Sequence, residues 1–429
     1  MEREDKRMNI LYIAPFTGTE FLREFGGLES SGLACTRKVG LIGRELAAQG
    51  HQVQILSSYM LSNRAMGWRK EMTEQLSESC RVLYPGAWML RPLGSVLNWM
   101  RADHILRGVV SSFKPDAVIV YNTYVFESIC TKILLRRIGN LPVVLEIEDM
   151  PLARQRGRLN VKPRLDQMCW KAMVEAASAF TAVNQTILDE LPLDKKKVLL
   201  PSALDPTILQ SAAERRRAFS RPGTRMVGYF GGLTEDKGVG VLIETVPQLP
   251  RGWKMLVSGS GPLATSFASM SKSFPDRLQF LGRVEDLELC RAMVECDCTV
   301  IPRERIDRPG ESVFPFKAFE YIMSGSHLIA CNLPSACDVD LSFVRRFDGT
   351  AAGLLAALAT AEEDFSTCEE ARERAIAGIA SRYGVSAVAK TLTRMIAGAG
   401  ADIALPQSAW QAETRTSGRD GDLAGTSSR

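Results

Sequence analysis

The chain of 429 residues has no apolar run near the ~18 residues that a membrane-spanning helix needs. Its charged start, Met1 to Arg7, leads into a short strand pattern rather than the apolar core of a secretory signal. A soluble or peripheral cytoplasmic protein is expected. Charge of one sign is equally scarce: 53 basic against 49 acidic residues leave +4, too little for a nucleic-acid footprint. With 3 histidines and 10 cysteines that show no CxxC spacing, neither a zinc site nor a disulfide framework is expected. The close pair Cys296 and Cys298 reads as alternate residues of one strand, Cys296 to Ile301, sharing a buried face. What is present, 45% hydrophobic and 24% charged residues, is globular composition, and the length favours two cores over one.

Short apolar runs at Asn9 to Ala14, Gln52 to Ser57, Ala117 to Tyr121, Val143 to Ile147 and Ala179 to Val183 alternate with helical patterns. That alternation predicts an α/β domain with a parallel sheet. Leu41, Ile42, Leu46 and Ala47 recur at helical spacing, and Gly50 ends that helix before the next strand. A second series begins at Met226 to Phe230 and continues at Lys254 to Ser258, Leu278 to Leu281, Cys298 to Ile301 and His327 to Ala330. Between the series, Ser202 to Thr224 carries prolines, a glycine and a basic run without strand pattern, as a linker does. The expected domains are therefore 1–205 and 206–380, with a closing helix at 381–397 and a low-complexity tail over 398–429 that composition predicts to be disordered. Two such domains facing each other enclose a cleft at the carboxyl ends of their strands.

Three segments carry chemistry. Gly231-Gly232-Leu233-Thr234-Glu235-Asp236-Lys237-Gly238 leaves a strand and enters a helix expected over Val239 to Pro247. Its glycines allow a tight exit, its amides suit a phosphate, and Lys237 adds a positive charge. Asp236 reads as a cap. Gly259 and Gly261, in a Gly-x-Gly-Pro turn, sit where a nucleotide would approach main chain closely. Arg303 precedes the densest segment, Gly310 to Gly325. Pro315 suits a first helical turn there and Gly325 a helix end. Lys317 and Glu320, three apart, share a face opposite Phe316, Phe319 and Met323. A carboxylate such as Glu320 can accept two hydrogen bonds from a ribose diol, and Lys317 can meet phosphate oxygens. In the first half, Glu148 and Asp149 follow a strand end, as Tyr121-Asn122 do, and are candidates to orient a sugar or an acceptor hydroxyl; solvated capping acids have the same pattern.

Phe314 to Gly325 resembles the "FPSKxxEYMxxGxP" signature of retaining GT-B glycosyltransferases in the glycosyltransferase family 4-like group. Gly231 to Gly238 is similar to that family's "GxLxxxKG" loop, and Gly259 to Pro262, Phe280 to Val284, Lys114 to Asp116 and Gly50 to Val53 match further motifs in family order. The resemblance spans roughly Asn9 to Ile396 and implies two Rossmann-like domains, with the closing helix crossing back to the first. It further implies a nucleoside diphosphate sugar donor, a carbohydrate or lipid-linked acceptor, and no metal or other cofactor. By it, Glu320 holds the ribose, Lys237 and Arg303 face the diphosphate, Asp149 stands on the catalytic side, and Glu311, Ser312, Phe314 and Pro315 line the donor pocket. The chain departs from the pattern at Gly232, where relatives carry arginine and Arg303 would supply the charge. It also has Ser312 in place of the upstream glutamate, and no histidine near Asp149. A silent sugar-nucleotide-binding protein and a GT-B-shaped epimerase are the alternatives. Trp68-Arg69-Lys70 with Trp88, Trp99, Arg101 and Arg107 suggests a peripheral membrane face.

Overall fold

The computed structural model describes residues 7–25, 33–58, 67–88, 93–149, 161–201, 203–205, 224–302, 316–333 and 339–398. The linker interior and the tail beyond 398 lie outside them.

The first sheet comprises β1 (Asn9–Ala14), β2 (Gln52–Ser57), β4 (Met72–Ser77), β5 (Cys80–Tyr84), β7 (Ala117–Tyr121), β8 (Val143–Ile147), β9 (Ala179–Ala182) and β10 (Lys196–Leu199), in the order β10-β9-β8-β7-β1-β2-β5-β4. β3 (Trp68–Arg69) and β6 (Ala87–Trp88) form a separate two-stranded ribbon. Central strands are buried on both faces, which is why they read as unbroken apolar runs. In β1, Ile10, Tyr12 and Ala14 enter one core while Leu11 and Ile13 enter the other. The β4–β5 edge is antiparallel. Sequence reading missed β4 because Met72–Ser77 buries only Glu74 and has no apolar alternation to display; it also missed β5, whose Cys80, Val82 and Tyr84 alternate inward over only five residues.

The second sheet holds β11 (Arg225–Phe230), β12 (Trp253–Ser258), β13 (Leu278–Gly282), β14 (Cys298–Ile301), β15 (His327–Ala330) and β16 (Arg345–Arg346), in the order β13-β12-β11-β14-β15-β16. All its pairings are parallel. The strand expected to start at Cys296 starts at Cys298 instead. Cys296 ends the preceding helix, and the two thiols enter different cores, so they do not share a face. The helix expected over Val239 to Pro247 is Gly240–Thr245 followed by a tight turn at Val246–Gln248, where Pro247 removes a donor.

One apolar core runs from the helix side of the first sheet through the 316–323 and 369–396 helices into the second. The helix Glu369–Tyr383 stacks Tyr383 on Phe319 at 5.0 Å, and Leu204 bridges to Gly384. The helix Val385–Ile396 then packs on Leu33–Ala48, the helix that precedes β2, with Thr393 Oγ1 3.3 Å from His51 Nε2. No helix among the described residues is long and apolar enough to cross a membrane.

Candidate active site

In an open parallel sheet, chain direction reverses where consecutive connections leave to opposite sides, and the loops there part to form a crevice. That point falls between β1 and β7 in the first sheet and between β11 and β14 in the second. The helices Leu33–Ala48 and Phe316–Met323 belong to these two points. They meet: Arg37 Nη1 donates to Glu320 Oε1 at 2.9 Å, so the carboxyl edges of the two sheets face one another.

The glycine loops after β11 and β12 are joined backbone to backbone. Gly231 N donates to Ser258 O at 2.8 Å and Leu233 N to Ser260 O at 2.9 Å. A Cβ at Gly259 would lie 1.8 Å from Gly231 O, and one at Gly261 2.5 Å from Leu233 O, both at strongly positive φ. Close loop packing is therefore what demands those glycines. A Cβ at Gly231 would strike the Lys317 ammonium at 2.0 Å, whereas one at Gly232 meets nothing within 4 Å. The position that departs from the family pattern is open space beside the lysines.

Lys317 lies over the Tyr229 ring at 4.6 Å and donates to its hydroxyl at 3.2 Å. Burial, then repulsion from Lys237, lowers its ammonium to about 8, with Glu320 opposing. Lys237 is half-exposed and 3.4 Å from Asp236, which sits inside the tight turn Glu235–Lys237 and does not cap it. Burial raises the Glu320 carboxyl, while Arg37 and Lys317 hold it down. The sequence reading placed Lys317 and Glu320 on one face without their partners, and it missed Tyr321. The Tyr321 hydroxyl accepts from Phe230 N–H at 2.8 Å and donates to Phe230 C=O at 3.1 Å, pinning the helix to the end of β11. Arg303, Glu311, Ser312, Phe314 and Pro315 lie outside the described residues.

On the facing side, Asn122 adopts φ 58°, a left-handed conformation that asparagine tolerates. Its Oδ1 accepts from the backbone N–H groups of Glu148 at 2.7 Å and Asp149 at 3.1 Å, fixing the exit from β8. Asn122 is itself 1% exposed, so its contribution is to position its neighbours. Glu148 turns inward: Lys38 pairs with it and, at 2.6 Å, with Glu146, which also accepts from the Tyr12 hydroxyl. Burial raises the Glu148 carboxyl and Lys38 opposes the shift. Asp149 stays exposed, although surrounding protein raises its carboxyl against the Asn122 hydrogen bond. Of the two acids only Asp149 is accessible to a ligand. Lys38 and Arg37 were both missed; the visible signal was a pair of adjacent cations directly ahead of the apolar run Val39 to Ile42.

Comparison with known proteins bears on this arrangement. The family profile described as "Glycosyl transferase 4-like domain" matches residues 35–194, and "Glycosyl transferases group 1" matches 224–364. The chain belongs to the GT-B glycosyltransferases. One profile falls in each Rossmann-like domain, and the protein is a glycosyltransferase by family. A search of curated proteins finds no matching sequence. Among solved structures, sucrose-phosphate synthase from Thermosynechococcus elongatus is similar at TM-score 0.60 and 15% identity, covering 90% of this chain and 97% of its own. Anabaena Alr3699/HepE in complex with UDP-glucose gives TM-score 0.60 and 15% identity over 92% and 100%. An α,α-trehalose-phosphate synthase (UDP-forming) from Burkholderia xenovorans, in complex with glucose-6-phosphate, gives 0.63 and 12% over 90% and 99%. At these identities the likeness is one of fold.

Proposed function

We propose that the protein transfers a glycosyl group from a nucleoside diphosphate sugar to a hydroxyl of a carbohydrate or lipid-linked acceptor, with retention of configuration, in polysaccharide or glycoconjugate assembly. The observation that carries this reading is the grouping of Lys317, Lys237 and Glu320 around the Gly231–Gly232 exit at the second sheet's switch point. The similarity to a protein complexed with UDP-glucose supports it. Glu320 holds the ribose diol, and the two lysines face the diphosphate, with Arg303 assigned there from sequence. A leaving diphosphate gains negative charge as the glycosidic bond breaks, and fixed cations in a sheltered cleft stabilise that charge by roughly 3 kcal/mol per well-placed group. Asp149, held by Asn122, orients the acceptor or the departing sugar from the other side. The scheme asks for no metal or organic cofactor.

A thermal-shift screen against UDP, GDP, ADP and their sugars tests the donor site. One nucleotide should stabilise the protein, and Glu320→Ala should abolish the shift. No shift with any of them at millimolar concentration would sink the donor reading.

A cytoplasmic, membrane-facing location is part of the same proposal. Trp68 and Trp88 meet at 5.4 Å with Arg101 over Trp68, and exposed Val96, Leu97 and Met100 lie on the adjoining helix. Such amphipathic groups suit a lipid interface. Sedimentation with anionic liposomes at low salt should occur and should weaken in Trp68→Ala/Trp88→Ala; absence of binding by the parent protein would refute it.

A further inference from the structure

Arg37 carries a guanidinium that the first domain extends to carboxylates of other parts of the chain. Its Nη1 donates to Glu320 Oε1 at 2.9 Å, while Asp205 Oδ2 lies 3.8 Å from Nη2 and Asp286 Oδ2 lies 3.7 Å from Nε. Glu320 and Asp286 belong to the second domain, where Asp286 opens the helix Asp286–Glu295, and Asp205 belongs to the connection. Among the described residues, Arg37 is the hydrogen-bond partner of the Glu320 side chain and no other residue bonds to it. Lys317, on the same helix, spends its ammonium on the Tyr229 ring and hydroxyl. The Glu320 side chain still keeps 23% of its surface exposed, so a ligand can reach it.

A carboxylate offers about four acceptor positions, and Arg37 fills one of them on Oε1, which leaves enough for the two hydroxyls of a ribose. Resting on the donor reading of Glu320, we propose that Arg37 is a positioning residue of the donor pocket, supplied by the facing domain: by holding Oε1 it fixes the direction of the Glu320 carboxylate and leaves the remaining acceptor positions for the ribose diol. A glutamate side chain has three torsions to order before it can accept two hydrogen bonds at once. A pair already made removes part of that cost from nucleotide binding. Burial also disfavours the charged carboxylate; Arg37 and then Lys317 favour it, and Asp286 and Asp205 oppose it again. The Cys290 thiol, 4.0 Å from Arg37 Nη2, is raised to about 11 by burial and stays neutral. Protonated, Glu320 would give up acceptor positions and hold a diol less well. Arg37 is in turn aimed by its neighbour, because Lys38 pairs with Glu146 and Glu148 and fixes the rotation of the helix that carries both cations.

The test is titration calorimetry with UDP and 2′-deoxy-UDP, or with the GDP or ADP pair where the thermal-shift screen selects it, since each pair differs only in one hydroxyl of the diol. The parent should prefer the ribose form about tenfold. Arg37→Met should bind UDP about tenfold more weakly, with the preference reduced to about twofold. Its loss of affinity relative to the parent should grow as pH falls from 8 to 6, because without the guanidinium the buried carboxyl takes up a proton at higher pH. Arg37→Lys, which keeps the charge but not the planar fork, should keep the parent's pH profile and part of the preference, and it carries the test should Arg37→Met not fold. In Glu320→Ala, where the preference should be absent, adding Arg37→Met should not change it. A role confined to joining the domains would weaken UDP and 2′-deoxy-UDP equally. An unchanged preference and pH profile in Arg37→Met, with the preference lost in Glu320→Ala, therefore overturns the positioning role and leaves the donor site standing. A full ribose preference in Glu320→Ala overturns the donor reading itself, as does failure of UDP, GDP and ADP alike to bind the parent.

Discussion

Lys317 provides the sharpest test of the donor site, because its surroundings have already taken it far from an ordinary lysine. Its ammonium falls from 10.5 to about 8 as burial and Lys237 oppose the charged form. Each unit is about 1.4 kcal/mol, so the positive charge is disfavoured by up to about 3 kcal/mol in the protein as it stands. A diphosphate seated between Lys317 and Lys237 removes that disadvantage, and binding must then take up a proton wherever the lysine has lost one. At pH 7 most molecules hold the proton; at pH 9 about one in ten does. UDP affinity measured by calorimetry should therefore fall about tenfold between pH 7 and pH 9, with proton uptake visible as a buffer-dependent enthalpy. Lys317→Met should bind about 10- to 100-fold more weakly at pH 7, as expected for losing a charge-assisted hydrogen bond, and should lose this slope. Folding does not mimic the effect. Lys317 is depressed in the folded chain, so the unfolded chain binds more protons and this group's contribution to stability rises from pH 8 toward 10.5. The same pH profile in parent and Lys317→Met would refute the placement of a diphosphate beside this lysine.

Asn122→Ala should destabilise the fold by about 1–3 kcal/mol in urea titration, because it leaves the buried Glu148 N–H without its acceptor and puts alanine at φ 58°; a change below about 0.5 kcal/mol would dismiss the clamp. Gly259→Ala forces a methyl into the Gly231 carbonyl, so UDP binding should be lost with the first-domain helices still folded by hydrogen exchange, and retained affinity would mean the loops do not form the pocket. Burial raises the Glu127 carboxyl to about 7, with the Ser58 hydrogen bond opposing. Its stabilising contribution is complete below 4.5 and is lost as pH rises through 7, so Glu127→Gln should match the parent at pH 5 and exceed it by about 2–3 kcal/mol at pH 8; an unchanged difference across that range would contradict the buried titration.

What could be read from the sequence was whatever depends on local period. Buried parallel strands such as Ala117–Tyr121 announce themselves as apolar runs, and Lys317 with Glu320 declares a shared face by helical spacing alone. Edge strands buried on one side, such as Met72–Ser77, do not. Nor does spacing tell which face a residue joins at an element boundary, as Cys296 shows. The choice of charge partner is less visible still, because it is set by tertiary structure: Arg37 meets Glu320 across 283 residues of chain. Yet Arg37 and Lys38 did leave a trace, two adjacent cations ahead of the apolar run Val39 to Ile42, and helix geometry explains what they do. Neighbouring positions point about 100° apart, so a helix lying along a domain edge cannot send both side chains to one place. Lys38 turns into its own domain to neutralise Glu146 and Glu148, and Arg37 is thereby aimed across the cleft. The buried pairings of Lys38 lock the rotation of the helix, and with it the direction in which Arg37 can reach. The adjacent cations of the helix Leu33–Ala48 therefore read as one residue that fixes the helix and one that uses its orientation.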